Sequence, residues 1–552
     1  MTALDAQTRP PLPHNEPVQA YAPGSAERRQ LARALENAGA SPRPLPMWLD
    51  GQTSMGTEQL PLACPHRHRQ VLGSLAAGGP AVVQAAIDAA MAARPRWAAM
   101  DFDARAAVFL RAACLLAGPY RYPMLAATML GQSKTVHQAE IDAVAELCDF
   151  WRFNVAFAAR LQADQPLSPP GAWNRLDYRP LDGFVLAVAP FNFTAIAGNL
   201  AAAPALMGNT VVLKPAPQAA LSVQVMMEVL AAAGLPAGVI NVVQAPGSLV
   251  GDVALADRNF AGLHFTGSTA TFGRLWQQVG RNLDRYRAYP RLVGETGGKN
   301  FVIAHPSCSV PALVAALVRG AFEYQGQKCS AASRAYVPEE LWPEVAPRLE
   351  AAVRALKVGD VGRLENFMGA LIDARAFARV GEYLSLAHGD PSCRVWLGGS
   401  ADDREGFFVQ PTVVLVDDPR HRLMREEIFG PVLTVHRYRA ADFADVLKLC
   451  DDTGDYALTG AIFARDQAAV AQATAALRFA AGNLVINDKP TAAVVGQQPF
   501  GGGRRSGTND KAGCALNLTR WVSARTIKET LVPGEEVDYP HQLADAAAPP
   551  PR

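Results

Sequence analysis

Several short stretches of this chain carry side chains that could do chemistry. In Glu323-Tyr324-Gln325-Gly326-Gln327-Lys328-Cys329-Ser330 a cysteine follows an apolar helix; Lys328 would favour its thiolate, the nucleophilic form, and Gly326 with Ser330 suggests a turn rather than a core position. In Gly294-Glu295-Thr296-Gly297-Gly298-Lys299-Asn300 one carboxylate stands in a Gly-rich turn just before a buried strand. Pro190-Phe191-Asn192-Phe193 sets a side-chain amide at the carboxyl end of a sheet. His264-Phe265-Thr266-Gly267-Ser268 runs from a strand through a Gly-Ser turn into a helical stretch, so backbone N–H groups and Ser268 could hold a pyrophosphate. Arg425-Glu426-Glu427-Ile428-Phe429-Gly430-Pro431 has the look of a capped helix end. Taken singly, each has an ordinary structural use: most free cysteines are buried and inert, and Asn or Thr-Gly-Ser commonly serve turns. No G-x-G-x-x-G follows a predicted strand, so the usual dinucleotide fingerprint is absent.

The elements that must position these residues read as α/β. From about 183 to 305, short β-branched runs alternate with longer Ala/Leu-rich segments, the pattern of a doubly wound sheet. Strands are predicted at 183–189, 209–214, 238–243, 262–267 and 300–304, and a helix from Ala219 to Ala233 stops at Gly234 and Pro236. A second α/β stretch has strands near 333–337, 432–436, 457–463 and 483–487. Two such units imply a cleft between them, where ligands bind. The first ~44 residues and the last ~15 read as solvated tails.

Composition excludes several classes. The chain has 552 residues, with 52 Lys+Arg against 51 Asp+Glu for a formal charge of +1, which argues against a nucleic-acid or membrane-surface binder. Eight cysteines without a CxxC pair give neither a disulfide framework nor a zinc site, so no metal is expected and a reducing compartment is. The most hydrophobic run, Leu200 to Leu213, is broken by Pro204, Gly208 and Asn209. The start, MTALDAQTRPPLPHNEP, has no apolar h-region, and a cytoplasmic protein is expected.

Together, in this order and at these spacings, the motifs resemble the aldehyde dehydrogenase superfamily from about residue 45 to 530. The runs EYQGQKCSAASRAYVP, NLDRYRAYPRLVGETGGKNFV and INDKPTAAVVGQQPFGGGRRSGTNDKAG are similar to its glutamate-γ-semialdehyde (1-pyrroline-5-carboxylate) branch. The resemblance implies two doubly wound α/β domains and a small β oligomerisation flap. Its boundaries would be 1–44 for the N-terminal tail, 45–159 and 183–293 for an NAD-binding domain, 160–182 and 518–536 for the flap, 294–517 for a catalytic domain, and 537–552 for a C-terminal tail. It makes Cys329 the nucleophile, Glu295 the general base, and the Asn192 amide with the Cys329 backbone N–H the oxyanion donors. NAD would be held by Lys214 at the adenosine ribose, Gly267 and Ser268 at the pyrophosphate, and Glu427 at the nicotinamide ribose, with Phe429 lining the nicotinamide pocket.

Two departures stand out. The superfamily often has Gly where this chain has Phe272, and many NAD-selective members carry a carboxylate or hydroxyl where this chain has Ala216 and Pro217. Nothing there repels a 2′-phosphate, which leaves NADP use open. For the substrate, the branch implies that Ser330, the backbone N–H groups of Ala492 and Ala493, and Lys328 hold the α-carboxylate. Glu146 would pair with the α-ammonium, and Phe193 and Phe500 would flank the aliphatic chain. Relatives commonly have Gly-Ser or Gly-Ala where this loop reads Ala492-Ala493, so a hydroxyl donor is missing and weaker substrate binding is expected. The implied reaction is NAD-dependent oxidation of glutamate γ-semialdehyde to glutamate in proline catabolism, through a cysteine thiohemiacetal and thioester. The expected form is a stand-alone homodimer or higher oligomer, linked functionally to a separate proline dehydrogenase. The alternatives are a dehydrogenase of another small semialdehyde and a non-catalytic member of the fold.

Overall fold

The computed structural model describes residues 9–543. Residues 9–24 form an arm that leads into helix α1 (Ala26–Gly39), capped by Ser25, whose hydroxyl accepts from the Arg28 N–H at 3.2 Å. The expectation of a solvated tail over 1–44 is therefore corrected for residues 9–44. Tyr21 and Leu31 are buried, and Glu16 sits between Arg121 and Arg152 at 3.0 and 2.8 Å. The arm docks through ion pairs and hydrogen bonds, which a Pro-rich, polar composition does not advertise. Residues 1–8 of that stretch, and 544–552 of the expected C-terminal tail, lie outside the described residues; 537–543 are exposed.

Two seven-stranded sheets form the body. The strands of the first part of the chain are β1 (Met47–Leu49), β2 (Gln52–Ser54), β3 (Ala172–Asp177), β4 (Phe184–Val188), β5 (Thr210–Lys214), β6 (Ile240–Val242), β7 (Phe260–Thr266) and β8 (Arg291–Glu295). All but β3 enter one sheet in the order β8-β7-β4-β5-β6-β1-β2, parallel from β8 through β6. FVLAV and FAGLHFT read as continuous apolar runs because helices cover both faces of such a sheet. The chain places β5 and β6 on one side of β4, then crosses to place β7 and β8 on the other. The switch point therefore lies between β4 and β7, at their carboxyl ends.

The second sheet contains β9 (Asn300–Ala304), β10 (Ala332–Pro338), β11 (Cys393–Leu397), β12 (Thr412–Val416), β13 (Val432–Tyr438), β14 (Thr459–Phe463) and β15 (Asn483–Ile486). Its order is β11-β12-β13-β10-β9-β14-β15, parallel except for the edge strand β11. Strand β16 (Arg525–Thr530) pairs antiparallel with β3 as a separate ribbon. The stretch expected in the flap from residue 518 behaves differently at its start: Leu518 and Trp521 are buried in the core, with the Trp521 ring 4.5 Å from that of His264. A hairpin of Glu58–Cys64 with Arg67–Ala77 was not foreseen from the sequence.

Helix α2 (Arg121–Gln132) is followed by a π-helical turn, Glu140–Glu146, that runs directly into α3 (Leu147–Ala163). Such wide turns cluster at functional sites because they redirect side chains. Here the turn buries Asp142, whose carboxylate accepts from Lys134 Nζ at 2.5 Å and from the first N–H groups of α4 (Thr194–Leu206), Thr194 at 3.1 Å and Ala195 at 2.9 Å. The Lys134 ammonium also lies over the rings of Phe193 and Tyr324, at 4.2 and 4.6 Å. One buried ion pair thus fixes the π turn, the start of α4 and, just before it, Asn192. Removing the carboxylate would strand a buried ammonium, a loss of about 3–5 kcal/mol. Asp142→Ala is expected to lower the denaturation midpoint by a corresponding amount, measured by urea unfolding beside the parent protein; an unchanged midpoint would show the pair to be dispensable.

Candidate active site

The carboxyl ends of β5, β4, β7 and β8 present Lys214, Asn192, Gly267 with Ser268, and Glu295 along one edge of the first sheet. Glu295 is the last residue of β8 rather than part of a turn, because Arg291–Glu295 extends the sheet beyond β7. After four intervening residues β9 begins the second sheet, and Cys329 lies just before its neighbour β10. The carboxyl edge of one sheet thus meets the amino edge of the other. Cys329 Sγ lies 4.0 Å from Glu295 Oε1.

The segment that carries Cys329 is held tightly. Helix α6 (Val310–Phe322) ends in a buried turn where Tyr324, Gln325 and Gly326 all have positive φ, of 52°, 56° and 66°. Left-handed non-glycine residues are costly and persist only where surroundings impose them. The Gln325 amide donates to the Ser133 and Ala370 carbonyls at 3.0 and 2.7 Å and accepts from the Gly369 N–H at 2.9 Å. Gln327 Oε1 accepts from the Ile372 N–H at 3.0 Å, and the Gln327 carbonyl accepts from the Asn192 amide at 3.0 Å. Beyond the cysteine, Asn300 Nδ2 donates to the carbonyls of Cys329 and Ala331 at 2.6 and 2.9 Å. The sulfur is thus positioned by its backbone from both sides.

Electrostatics at this point favour neutral groups. Burial, and then the Glu295 carboxylate, push the Cys329 thiol well above its ordinary value, while the Ser330 N–H draws it down. Burial raises Glu295 to about 8, against a small opposing pull from Lys511. The expectation that Lys328 favours the thiolate is corrected. Its ammonium is buried and pairs with Glu323 at 3.3 Å, and burial lowers its own pKa. A lysine adjacent in sequence to the sulfur is directed elsewhere by the left-handed turn.

A cavity of about 400 Å³ opens beside Cys329 and Glu295. Glu146, Phe193, Lys328, Ser330, Ala492, Ala493 and Phe500 all line it, whereas Asn192 is buried beside it and does not. Glu146 ends the π turn and has no hydrogen-bond or ion-pair partner among the described residues; burial, then repulsion from Asp142, raises it to about 8. The sequence reading missed Lys134, Asp142 and Lys511, and it missed Asn15, Glu16 and Val18 of the arm, which reach the cavity wall.

The remaining candidates lie along the first sheet's edge. Lys214 is shielded and has no acidic partner among the described residues, and burial alone lowers its pKa. Ser268 caps the thirteen-residue helix α5 (Thr269–Arg281), accepting from the Thr271 N–H at 3.2 Å, and no acid sits in that helix's first turn. Glu427 Oε1 accepts from the Gly298 N–H at 2.9 Å; a Cβ on Gly297 would stand 2.5 Å from the other oxygen, so the glycine keeps that carboxylate approachable. Phe429 has φ 59° and meets Phe191 edge-on at 5.9 Å. An unpaired cation, a helix N-terminus free of acids and a carboxylate with one oxygen in reserve fit the sugars and pyrophosphate of a dinucleotide. Phe272, which stands where glycine is common, stacks on Phe265 at 5.3 Å, and its ring fills the place a Gly294 Cβ would take, 2.2 Å away. The bulk gained at one position is released at the other.

The family model described as "Aldehyde dehydrogenase family" matches residues 48–527. The chain is 47% identical over 542 residues to the mitochondrial delta-1-pyrroline-5-carboxylate dehydrogenase of Dictyostelium discoideum, covering 98% of this chain and 97% of that one. It is similar, with TM-score 0.95 and 56% identity over 98% of this chain and 100% of the other, to the crystal structure of the Mycobacterium tuberculosis delta-pyrroline-5-carboxylate dehydrogenase bound with NAD. It also matches proline utilization A of Bdellovibrio bacteriovorus, with TM-score 0.89 and 28% identity over 95% of this chain and 54% of that one. The cytoplasmic expectation does not stand against these relatives: the Dictyostelium enzyme is named mitochondrial, as are its mouse, bovine and human counterparts. A catalytic fold keeps the same core whichever compartment houses it, so composition could not decide the matter. No described helix is long and apolar enough to cross a membrane.

The thiol's environment has a measurable signature. Alkylation of Cys329 by iodoacetamide is expected to accelerate with pH and show no plateau below the ordinary thiol value of 9.0, because the reactive form is the thiolate. Glu295→Gln, by removing the repelling carboxylate, is expected to move the plateau to lower pH. A plateau near pH 7 in the parent protein would contradict this electrostatic picture.

Proposed function

This chain belongs to the aldehyde dehydrogenase family, and from that premise we propose that it oxidises L-glutamate γ-semialdehyde to L-glutamate with NAD as the acceptor. One observation carries the choice of substrate: the cavity that holds the Cys329–Glu295 pair also holds Glu146, a carboxylate without a partner of its own. A simple aldehyde would leave that carboxyl unmatched; an α-amino acid head brings an ammonium to it. Ser330 and the backbone at Ala492 and Ala493 are assigned to the α-carboxylate, and Phe193 and Phe500 to the aliphatic chain.

In the proposed reaction the Cys329 thiol attacks the aldehyde carbon, and its proton passes to ionised Glu295. The carbonyl oxygen becomes an oxyanion in the thiohemiacetal, accepting from the Cys329 backbone N–H and from the second amide hydrogen of Asn192, the first being committed to the Gln327 carbonyl. NAD, assigned to Lys214, Ser268, Gly267 and Glu427 with Phe429 beside the nicotinamide, supplies the hydride acceptor when bound, which leaves a thioester on Cys329. Glu295 releases that first proton to solvent, takes another from the water that attacks the thioester, and passes it to the departing thiolate, so that glutamate leaves as the thiol is restored. With Glu295 near 8, about one carboxyl in ten is ionised at pH 7.

We assign 45–159 and 183–293, which contain the first sheet except the last two residues of β8, to the cofactor domain, and 294–517, which contain the second, to the catalytic domain. The β3–β16 ribbon is assigned to a homo-oligomer contact, supported by its open edge and the half-exposed Trp173. The likeness to proline utilization A supports a functional link to a proline dehydrogenase.

Steady-state NAD reduction with glutamate γ-semialdehyde, succinic semialdehyde and propionaldehyde tests the reading. The first is expected to be preferred by at least about tenfold in kcat/KM, the scale of one unmatched buried polar group, with Cys329→Ala inactive toward all three. Equal or better turnover of the other two would discard the substrate. The rate of thioester hydrolysis is expected to rise with pH through about 8 and then level, because the base works only when ionised. Glu295→Gln should abolish that rise; an identical profile in the variant would remove Glu295 from the role.

A further inference from the structure

The arm that precedes α1 holds the amino-acid end of the cavity from outside both sheets. Asn15 is the centre of this arrangement. Its Nδ2 donates to Asp149 Oδ2 and to the Val495 carbonyl, both at 2.8 Å, and its Oδ1 accepts from Gln497 Nε2 at 2.9 Å. Both amide hydrogens and the oxygen are therefore used, and they join two separate structures. Asp149 is in the first turn of α3, three residues after Glu146, whereas Val495 and Gln497 continue the loop that begins at Ala492 and Ala493. The next residue reinforces the link, its backbone N–H donating to Asp149 Oδ1 at 2.7 Å.

The arm also grips the other end of the π turn. The Gln19 N–H and the Tyr21 hydroxyl donate to the two oxygens of buried Glu140 at 3.1 and 2.7 Å, and Arg121 pairs with both Glu140 and Glu16 at 3.0 Å. Glu146 thus lies between two anchored points, Glu140 before it and Asp149 after it. Asn15, Glu16 and Val18 themselves line the cavity.

We propose that this arm is a specificity-determining part of the substrate site, with Asn15 a positioning residue that fixes the spacing between Glu146 and the 492–493 loop. The proposal rests on the glutamate-semialdehyde reading, since those two groups are the ones assigned to the α-ammonium and the α-carboxylate. A substrate with that head group must touch both sides of the gap at once. An aldehyde without it needs only the Cys329 end. Loosening the clamp therefore weakens the first kind of substrate selectively, which a purely structural brace would not do.

The test is steady-state kinetics of the full chain, Asn15→Ala and Gln497→Ala with glutamate γ-semialdehyde and propionaldehyde, alongside thermal melting of each. Asn15→Ala is expected to raise KM for glutamate γ-semialdehyde about tenfold, with a much smaller effect on its kcat, and to lower the ratio of kcat/KM between the two aldehydes by a similar factor. Gln497→Ala, a substitution on the exposed loop that removes one of the same bonds, should move the ratio in the same direction by about threefold, and it carries the test if the arm variant melts too low to assay. Equal losses with both aldehydes, or an unchanged ratio in both variants, would overturn the positioning role while leaving the substrate assignment intact. A parent enzyme with no preference between the aldehydes would take down both.

Discussion

Four residues, Thr296 to Lys299, join the last position of one parallel sheet to the first position of another. A chain that short spans at most about 18 Å between Glu295 and Asn300, so the carboxyl edge of the first sheet cannot be far from the amino edge of the second. Most of the site follows from this tether. Parallel strands all deliver their carboxyl ends to the same edge, which gathers Asn192, Lys214, Ser268 and Glu295 from widely separated parts of the chain. The second sheet contributes Cys329 from the segment just before β10, and Asn300, just past the tether, ties the Cys329 carbonyl in place. Gly297 lets the link pass close to Glu427, and Gly298 lets it pass close to the Cys329 carbonyl, with no side chain between.

The same enclosure sets the electrostatic character of the site. Glu146, Asp149 and Glu295 are all raised by burial, to about 8, 6 and 8, and no cation inside the cavity fully offsets it. Beside the cavity Lys134 pairs with Asp142; on its wall Lys328 and Arg319 pair with Glu323 and Lys511 donates to the carbonyls of Gly482 and Gly501, while the Lys489 ammonium is left without a hydrogen-bond or ion-pair partner among the described residues. Carboxyls raised in this way suit neutral reactants that exchange protons over short distances. The buried pairs around it serve mainly to hold backbone: Lys134–Asp142 sets the start of α4, and Glu323 with Lys328 closes the turn before the cysteine.

Much of this was legible in the sequence, for identifiable reasons. Strands such as FVLAV and NFVIA announce themselves because burial on both faces demands unbroken apolar runs, and Cys329 and Glu295 are bracketed by glycine and polar residues that mark turns beside chemistry. What was not legible depends on pairing across long distances. Asn15 and Val495 are 480 residues apart, and nothing in PPLPHNEP distinguishes a docked polar arm from a solvated one. Helix α1 was more accessible than the reading allowed, since Ser25 is a cap and Leu31 with Leu35 forms an apolar stripe. The direction of Lys328 depended on three consecutive left-handed residues, of which only Gly326 is a type that signals one.

The unpartnered carboxyl at Glu146 ties substrate capture to the proton balance of the surroundings. With its pKa near 8, most copies of the empty site hold Glu146 in the acid form at neutral pH. An ammonium arriving beside it favours the carboxylate, so each binding event expels close to one proton. The apparent affinity for an ammonium-bearing substrate then climbs as the medium becomes more alkaline, up to about the point where the empty site is already ionised. In a buffered solution the expelled proton would register as a buffer-dependent heat of association, a calorimetric trace of a single glutamate left without a companion in the fold.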